Sequence, residues 1–84
     1  MNPKKTMRSI EVGSLDVRFA DLCRLAMAFG FRLARVSGSH HIFTHPGVPE
    51  LLNLQNVAGR AKPYQVRQFM SLIARYSLTM EERS

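Results

Sequence analysis

Hydrophobic and polar positions recur with two different periods along this 84-residue chain. Phe19, Leu22, Cys23, Ala26 and Phe29 follow one another at three- and four-residue steps, which places them on one face of a helix. Arg18, Asp21 and Arg24 lie off that stripe, and Gly30 reads as the residue that ends the helix in a left-handed conformation. From Phe31 the period shortens to two. Phe31 to Val36 predicts a strand, Ser37-Gly38-Ser39 a turn, and His40 to His45 a second strand stopped by Pro46-Gly47, with Pro49 close behind. Leu51 to Gln55 alternates again, with Leu52 and Leu54 on one side and Leu51, Asn53 and Gln55 on the other. After a loop from Asn56 to Lys62, Pro63 suits the first turn of a helix whose stripe is Val66, Phe69, Met70, Ile73 and Tyr76. Gln65, Arg67, Gln68, Ser71 and Arg75 fall on its other faces.

Residues 1–14 are polar, end in Gly13-Ser14, and predict a basic N-terminal arm or short helix. Residues 79–84 form a C-terminal tail in which Thr79 and Glu82 have capping-box spacing. Between them, residues 15–78 predict one α+β domain of order α-β-β-β-α. Both helices would cover one face of a three-stranded antiparallel sheet and leave the other open.

Charge changes this picture more than size does. Twelve Lys and Arg stand against six Asp and Glu, for a net charge of +6. Phe31 to Tyr76 holds six basic residues (Arg32, Arg35, Arg60, Lys62, Arg67, Arg75) and Glu50 alone of the acidic ones. An isoelectric point near 10.5 is the footprint of a polyanion partner, although an acidic protein would satisfy the same charges. The single cysteine, Cys23, fits a reducing compartment and lies on the apolar helical face, as a core residue would. No signal-peptide pattern or membrane-spanning run is legible, so a cytoplasmic protein without membrane contact is expected.

All three histidines fall within His40-His41-Ile42-Phe43-Thr44-His45. In an extended strand, His41, Phe43 and His45 share one face and His40, Ile42 and Thr44 the other. Phe43, the bulkiest, claims the helix side and leaves His40 on the open face; Ile42 in the core would reverse the assignment. A shared metal is disfavoured, because His41 and His45 stand about 13 Å apart at 3.3 Å per residue. Zinc holds its nitrogen ligands at only about 2.0–2.1 Å. Ser39 as a covalent nucleophile lacks an orienting third group. Polar residues on a half-exposed strand would need no further role. The chemical alternative is a histidine beside arginines acting on RNA, whose 2′-hydroxyl is a built-in nucleophile.

Gly38-Ser39-His40-His41-Ile42-Phe43-Thr44-His45-Pro46, flanked by the Phe29-Gly30-Phe31 helix end and the C-terminal amphipathic helix, resembles the HicA-type toxin family over roughly residues 17–78. The resemblance implies a double-stranded-RNA-binding-domain-like fold. It also implies an mRNA interferase, the toxin of a type II toxin–antitoxin pair, which cuts mRNA through a histidine without metal or cofactor and is neutralised by a HicB-like antitoxin. His40 maps onto the histidine after Gly-Ser and is the implied catalytic base, with His41 as the alternative. Ser39, Arg35, Arg60, Lys62 and Arg67 are the candidate RNA contacts. The chain departs from the family's third-strand Pro-x-His segment, reading Leu51-Leu52-Asn53-Leu54-Gln55-Asn56 instead, which marks a divergent branch. A non-catalytic RNA-binding module of the same fold is the alternative function.

Overall fold

Asn2 opens the first helix by accepting the Lys5 N–H at 2.9 Å, and Pro3 occupies the first helical turn, where its missing N–H costs nothing. In this computed structural model, which describes residues 1–80, the order is α1 (Pro3–Glu11), α2 (Phe19–Ala28), β1 (Arg32–Ser37), β2 (His40–His45), β3 (Val48–Gln55) and α3 (Pro63–Arg75). Glu82, and with it the Thr79–Glu82 capping box, lies outside the described residues. The fold is the expected α+β arrangement with α1 added in front. α1 packs on α2 and buries Thr6 and Ile10.

α2 ends as its glycine requires. Gly30 takes a φ of 95°, the Gly30 N–H reaches the Met27 carbonyl, and the Phe31 N–H reaches the Ala26 carbonyl. This Schellman closure satisfies the last carbonyls and turns the chain into β1. The strands pair antiparallel in the order β1-β2-β3. Gly38 and Ser39 form the two-residue loop between Ser37 and His40, and Gly38 adopts a φ of 58°, as the first loop position of a tight hairpin favours.

The sheet's helix-covered face carries Phe43, Val48, Leu52 and Leu54, buried against Leu22 and Leu25 of α2 and Val66 and Phe69 of α3. Full burial of each such side chain contributes about 1.5–3 kcal/mol. Phe43 therefore takes the core side of β2 and Ile42 the other.

Two irregularities were not legible in the alternation. Leu33 pairs with Phe43, but Arg35, not Ala34, pairs with Ile42, so Ala34 is a bulge. On β3 the register shifts between Phe43 and His45, and the strand starts at Val48 rather than Leu51. Pro49 sits within the shifted stretch, where its missing N–H breaks no regular pairing.

Two polar side chains also depart from the helical stripes. Asp21 is mostly covered and accepts from the Met1 amine and from Arg24, both at 3.2 Å. Gln65, expected on an outer face of α3, is only 4% exposed. β3 is an edge strand, and its outward backbone groups need partners. Gln65 Oε1 accepts the Gln55 N–H at 2.8 Å, and Gln65 Nε2 donates to the Asn53 carbonyl at 3.1 Å. This clamp explains why an amide is buried there. At the other end of β3, Glu50 accepts from Arg75 at 2.7 Å and from the Tyr76 hydroxyl, tying the C-terminal end of α3 to the sheet.

Candidate active site

The three histidines of β2 have three different surroundings, set by the side of the strand each ring takes and by the groups it meets there. His45, on the core side, stands edge-on to Phe31 with ring centroids 5.0 Å apart. Its Nε2 donates to the Phe29 carbonyl at 3.0 Å and its Nδ1 accepts from the Gly47 N–H at 2.9 Å. A carbonyl oxygen only accepts, so the proton is on Nε2 and both ring nitrogens are committed. His45 ties the β2–β3 turn to the end of α2.

His41 shares the core side and meets Phe19 edge-on at 4.8 Å. Its Nδ1 is buried and without a hydrogen-bond partner among the described residues. This ring packs between the sheet and the first turn of α2.

His40 faces the other way. Its Nδ1 lies 3.0 Å from Asn53 Oδ1 on the neighbouring strand. The pair is diagonal, since His40 stands opposite Gln55 and Asn53 opposite Ile42, and diagonal neighbours on one face are within reach of such side chains. The amide oxygen only accepts, so the bond puts the proton on Nδ1 and leaves the lone pair on Nε2. A neutral imidazole held this way has its basic nitrogen turned from its anchor.

Around His40 lies a shallow groove of about 500 Å³ on the open face, lined by Arg35, Val36, Ser37, His40, Ile42 and Asn53. Arg35 is there because of the Ala34 bulge. Strict alternation from Leu33, which pairs with core-side Phe43, would have sent Arg35 to the helix side. The same register places Arg32 opposite Thr44, also on the open face. Arg32 was not singled out in the sequence, because only the cross-strand register reveals its side.

The remaining candidates divide by position. Ser39 adjoins His40 in the hairpin loop, where its hydroxyl accepts from Gln55 Nε2 at 3.2 Å and its carbonyl accepts the Asn56 N–H at 2.9 Å. Arg60 is not brought to the groove. Its guanidinium pairs with Asp16 at 3.3 Å and lines a separate depression with Met1, Val17, Arg18 and Asp21. Lys62 precedes α3 and holds its ammonium 5.8 Å from the Tyr64 ring centroid. Arg67 is exposed on α3. The Cys23 thiol is pushed up to about 11 by burial, which leaves it protonated and unreactive near neutrality.

Asn53 and Gln65 join the candidate site through the fold and not through any signal in the linear sequence. Asn53 was visible only as a polar position opposite Leu52 and Leu54, and its pairing with His40 depends on register. No helix among the described residues is long and apolar enough to cross a membrane.

Comparison with curated proteins finds no match. A scan against protein-family models matches residues 19–73, which is 55 of the 84 residues, to the family described as the HicA toxin of bacterial toxin–antitoxin. The matched span runs from the first residue of α2 into α3 and includes the whole sheet, the His40 groove and Gln65. Sequence motif, element order and family match agree: this chain belongs to the HicA toxin family of bacterial toxin–antitoxin systems.

Proposed function

We propose that this toxin is an mRNA interferase, an RNA endonuclease in which His40 is the general base. The observation that carries the reading is the His40–Asn53 hydrogen bond, which leaves Nε2 as the acceptor at the edge of a groove that also holds Arg35. In the reaction, His40 Nε2 removes the proton of an RNA 2′-hydroxyl. The 2′-oxygen then bonds to the adjacent phosphorus while the bond from phosphorus to the 5′-oxygen breaks. The products are a 2′,3′-cyclic phosphate and a 5′-hydroxyl, the latter protonated from water or the imidazolium. Arg35 stabilises the charge that gathers on the non-bridging oxygens. A well-placed histidine base contributes roughly 10²–10⁴-fold to such a step.

Ser39 lies beside the base and Arg32 extends the positive face. Arg60, Lys62 and Arg67 lie off the groove and serve the longer-range attraction of a polyanion. The residues in the groove supply base and charge without a metal or organic cofactor. Family membership implies an antitoxin partner, and a HicB-like protein covering the open face would block access to His40. The cytoplasm, where mRNA resides, is the proposed place of action.

The test is incubation of the purified chain with end-labelled RNA in the presence of a chelator, with analysis of the product ends. The expected result is scission that leaves 2′,3′-cyclic phosphate termini. Salt-sensitive binding without scission would replace this reading with that of a non-catalytic RNA-binding module on the same face.

A further inference from the structure

We infer that Asn53 is the positioning residue of the His40 site and that Gln65, from the far side of β3, holds Asn53 in place. The inference rests on the reading of His40 as the base, but its primary measurement does not require cleavage.

A free imidazole places its single proton on either nitrogen, and only the form with the proton on Nδ1 offers Nε2 as a base. The Oδ1 of Asn53, 3.0 Å from Nδ1, selects that form and fixes the ring plane. Asn53 is exposed on an edge strand, where side chain and backbone would otherwise be free to shift. Gln65 prevents this. Its amide is buried, and it grips β3 on both sides of Leu54 by accepting from the Gln55 N–H and donating to the Asn53 carbonyl. A chain of hydrogen bonds thus runs from the core-facing side of α3, through the backbone of residue 53, to the ring of His40. The charged group facing His40 in the groove is Arg35 on β1. From β3 the facing side chains, Asn53 and Gln55, are neutral, and so is Ile42 on β2.

The nitrogen chemical shifts of the His40 ring, read by NMR on the full chain, report which nitrogen carries the proton. The wild type should show the Nδ1–H form, and Asn53→Ala should lose that preference while the backbone spectrum stays native. Asn53→Asp keeps an oxygen acceptor at the same place and should restore the Nδ1–H form. Gln65→Leu, outside the groove, should weaken the preference in the same direction as Asn53→Ala. In cleavage, Asn53→Ala should lose roughly tenfold, about the worth of one hydrogen bond, mainly in kcat. Asn53→Asp should recover activity with the acid limb of its pH profile moved to higher pH, because a carboxylate stabilises the imidazolium.

A wild-type ring without the Nδ1–H preference, or a preference unchanged in Asn53→Ala, would overturn the role of Asn53. A Gln65→Leu ring identical to wild type would overturn the role of Gln65. Should the ring shifts behave as expected while the wild type cuts no RNA, the positioning would stand and the proposed endonuclease activity would fall.

Discussion

On one side of β2, Phe43 is sealed against two helices, His45 spends both ring nitrogens on backbone groups, and His41 lies edge-on to Phe19. On the other side, one residue away, His40 meets a single amide oxygen and looks into an open groove with Arg35. The residue type and the strand are the same, and only the parity of the position differs. A histidine's chemistry here is set by what the fold does with its ring nitrogens. On the core side His45 commits both to turn closure, and His41 has its Nδ1 buried without a partner among the described residues. On the open side His40 anchors one nitrogen and leaves the other facing the groove.

Changes on the core side should cost stability, and changes on the open side should cost RNA contact. Phe43→Ala is the largest expected effect, a loss of about 3–5 kcal/mol in denaturant unfolding from a buried aromatic. A loss below 1 kcal/mol would mean that the sheet's two faces are less distinct than described. Arg35→Ala should leave unfolding within about 0.5 kcal/mol of wild type. It should weaken RNA binding and lower the magnitude of the salt slope by about 0.7–0.9, one phosphate contact. An unchanged slope would remove Arg35 from the RNA face. His41→Phe keeps a ring against Phe19 and deletes a buried nitrogen without a partner. It should therefore be neutral or stabilising by up to about 1 kcal/mol. A marked destabilisation would show that His41 makes a polar contact in solution.

The smallest effect concerns the end of the sheet far from the hairpin. The Tyr76 hydroxyl, and then Arg75, hold the Glu50 carboxyl below its ordinary value of 4.5, and Glu50 in turn raises the Tyr76 phenol above 10.0. The depressed carboxyl contributes stability above its unfolded value, lost as pH falls through the folded one. The raised phenol contributes stability below its unfolded value, lost as pH rises through the folded one. Melting temperatures should therefore drop slightly at both extremes. Tyr76→Phe should flatten the alkaline drop and reduce the acid one; a profile identical to wild type would discount the contact.

Much of this division was legible in the sequence because it depends on local period. The stripes of α2 and α3, the alternation of His40–His45 and the Leu52/Leu54 side of β3 each need only a few neighbouring residues to read. What stayed hidden depends on pairing between distant segments. The Ala34 bulge that turns Arg35 into the groove, the shifted pairing around Pro49 and the His40–Asn53 bond are properties of register. Gln65 broke the polar-outside expectation for α3 because an edge strand needed its amide. The pairing of Arg60 with Asp16 likewise joins segments far apart in the chain, so the loop sequence alone does not show it.

The most direct measurement is a side-by-side cleavage assay of wild type, His40→Ala and His41→Phe on the same end-labelled RNA, each first shown to be folded. His40→Ala should lose roughly 10²–10⁴-fold in rate, while His41→Phe should cut as the wild type does. Cleavage by His40→Ala at the wild-type rate, or its loss in His41→Phe alone, would contradict the assignment of His40 as the base.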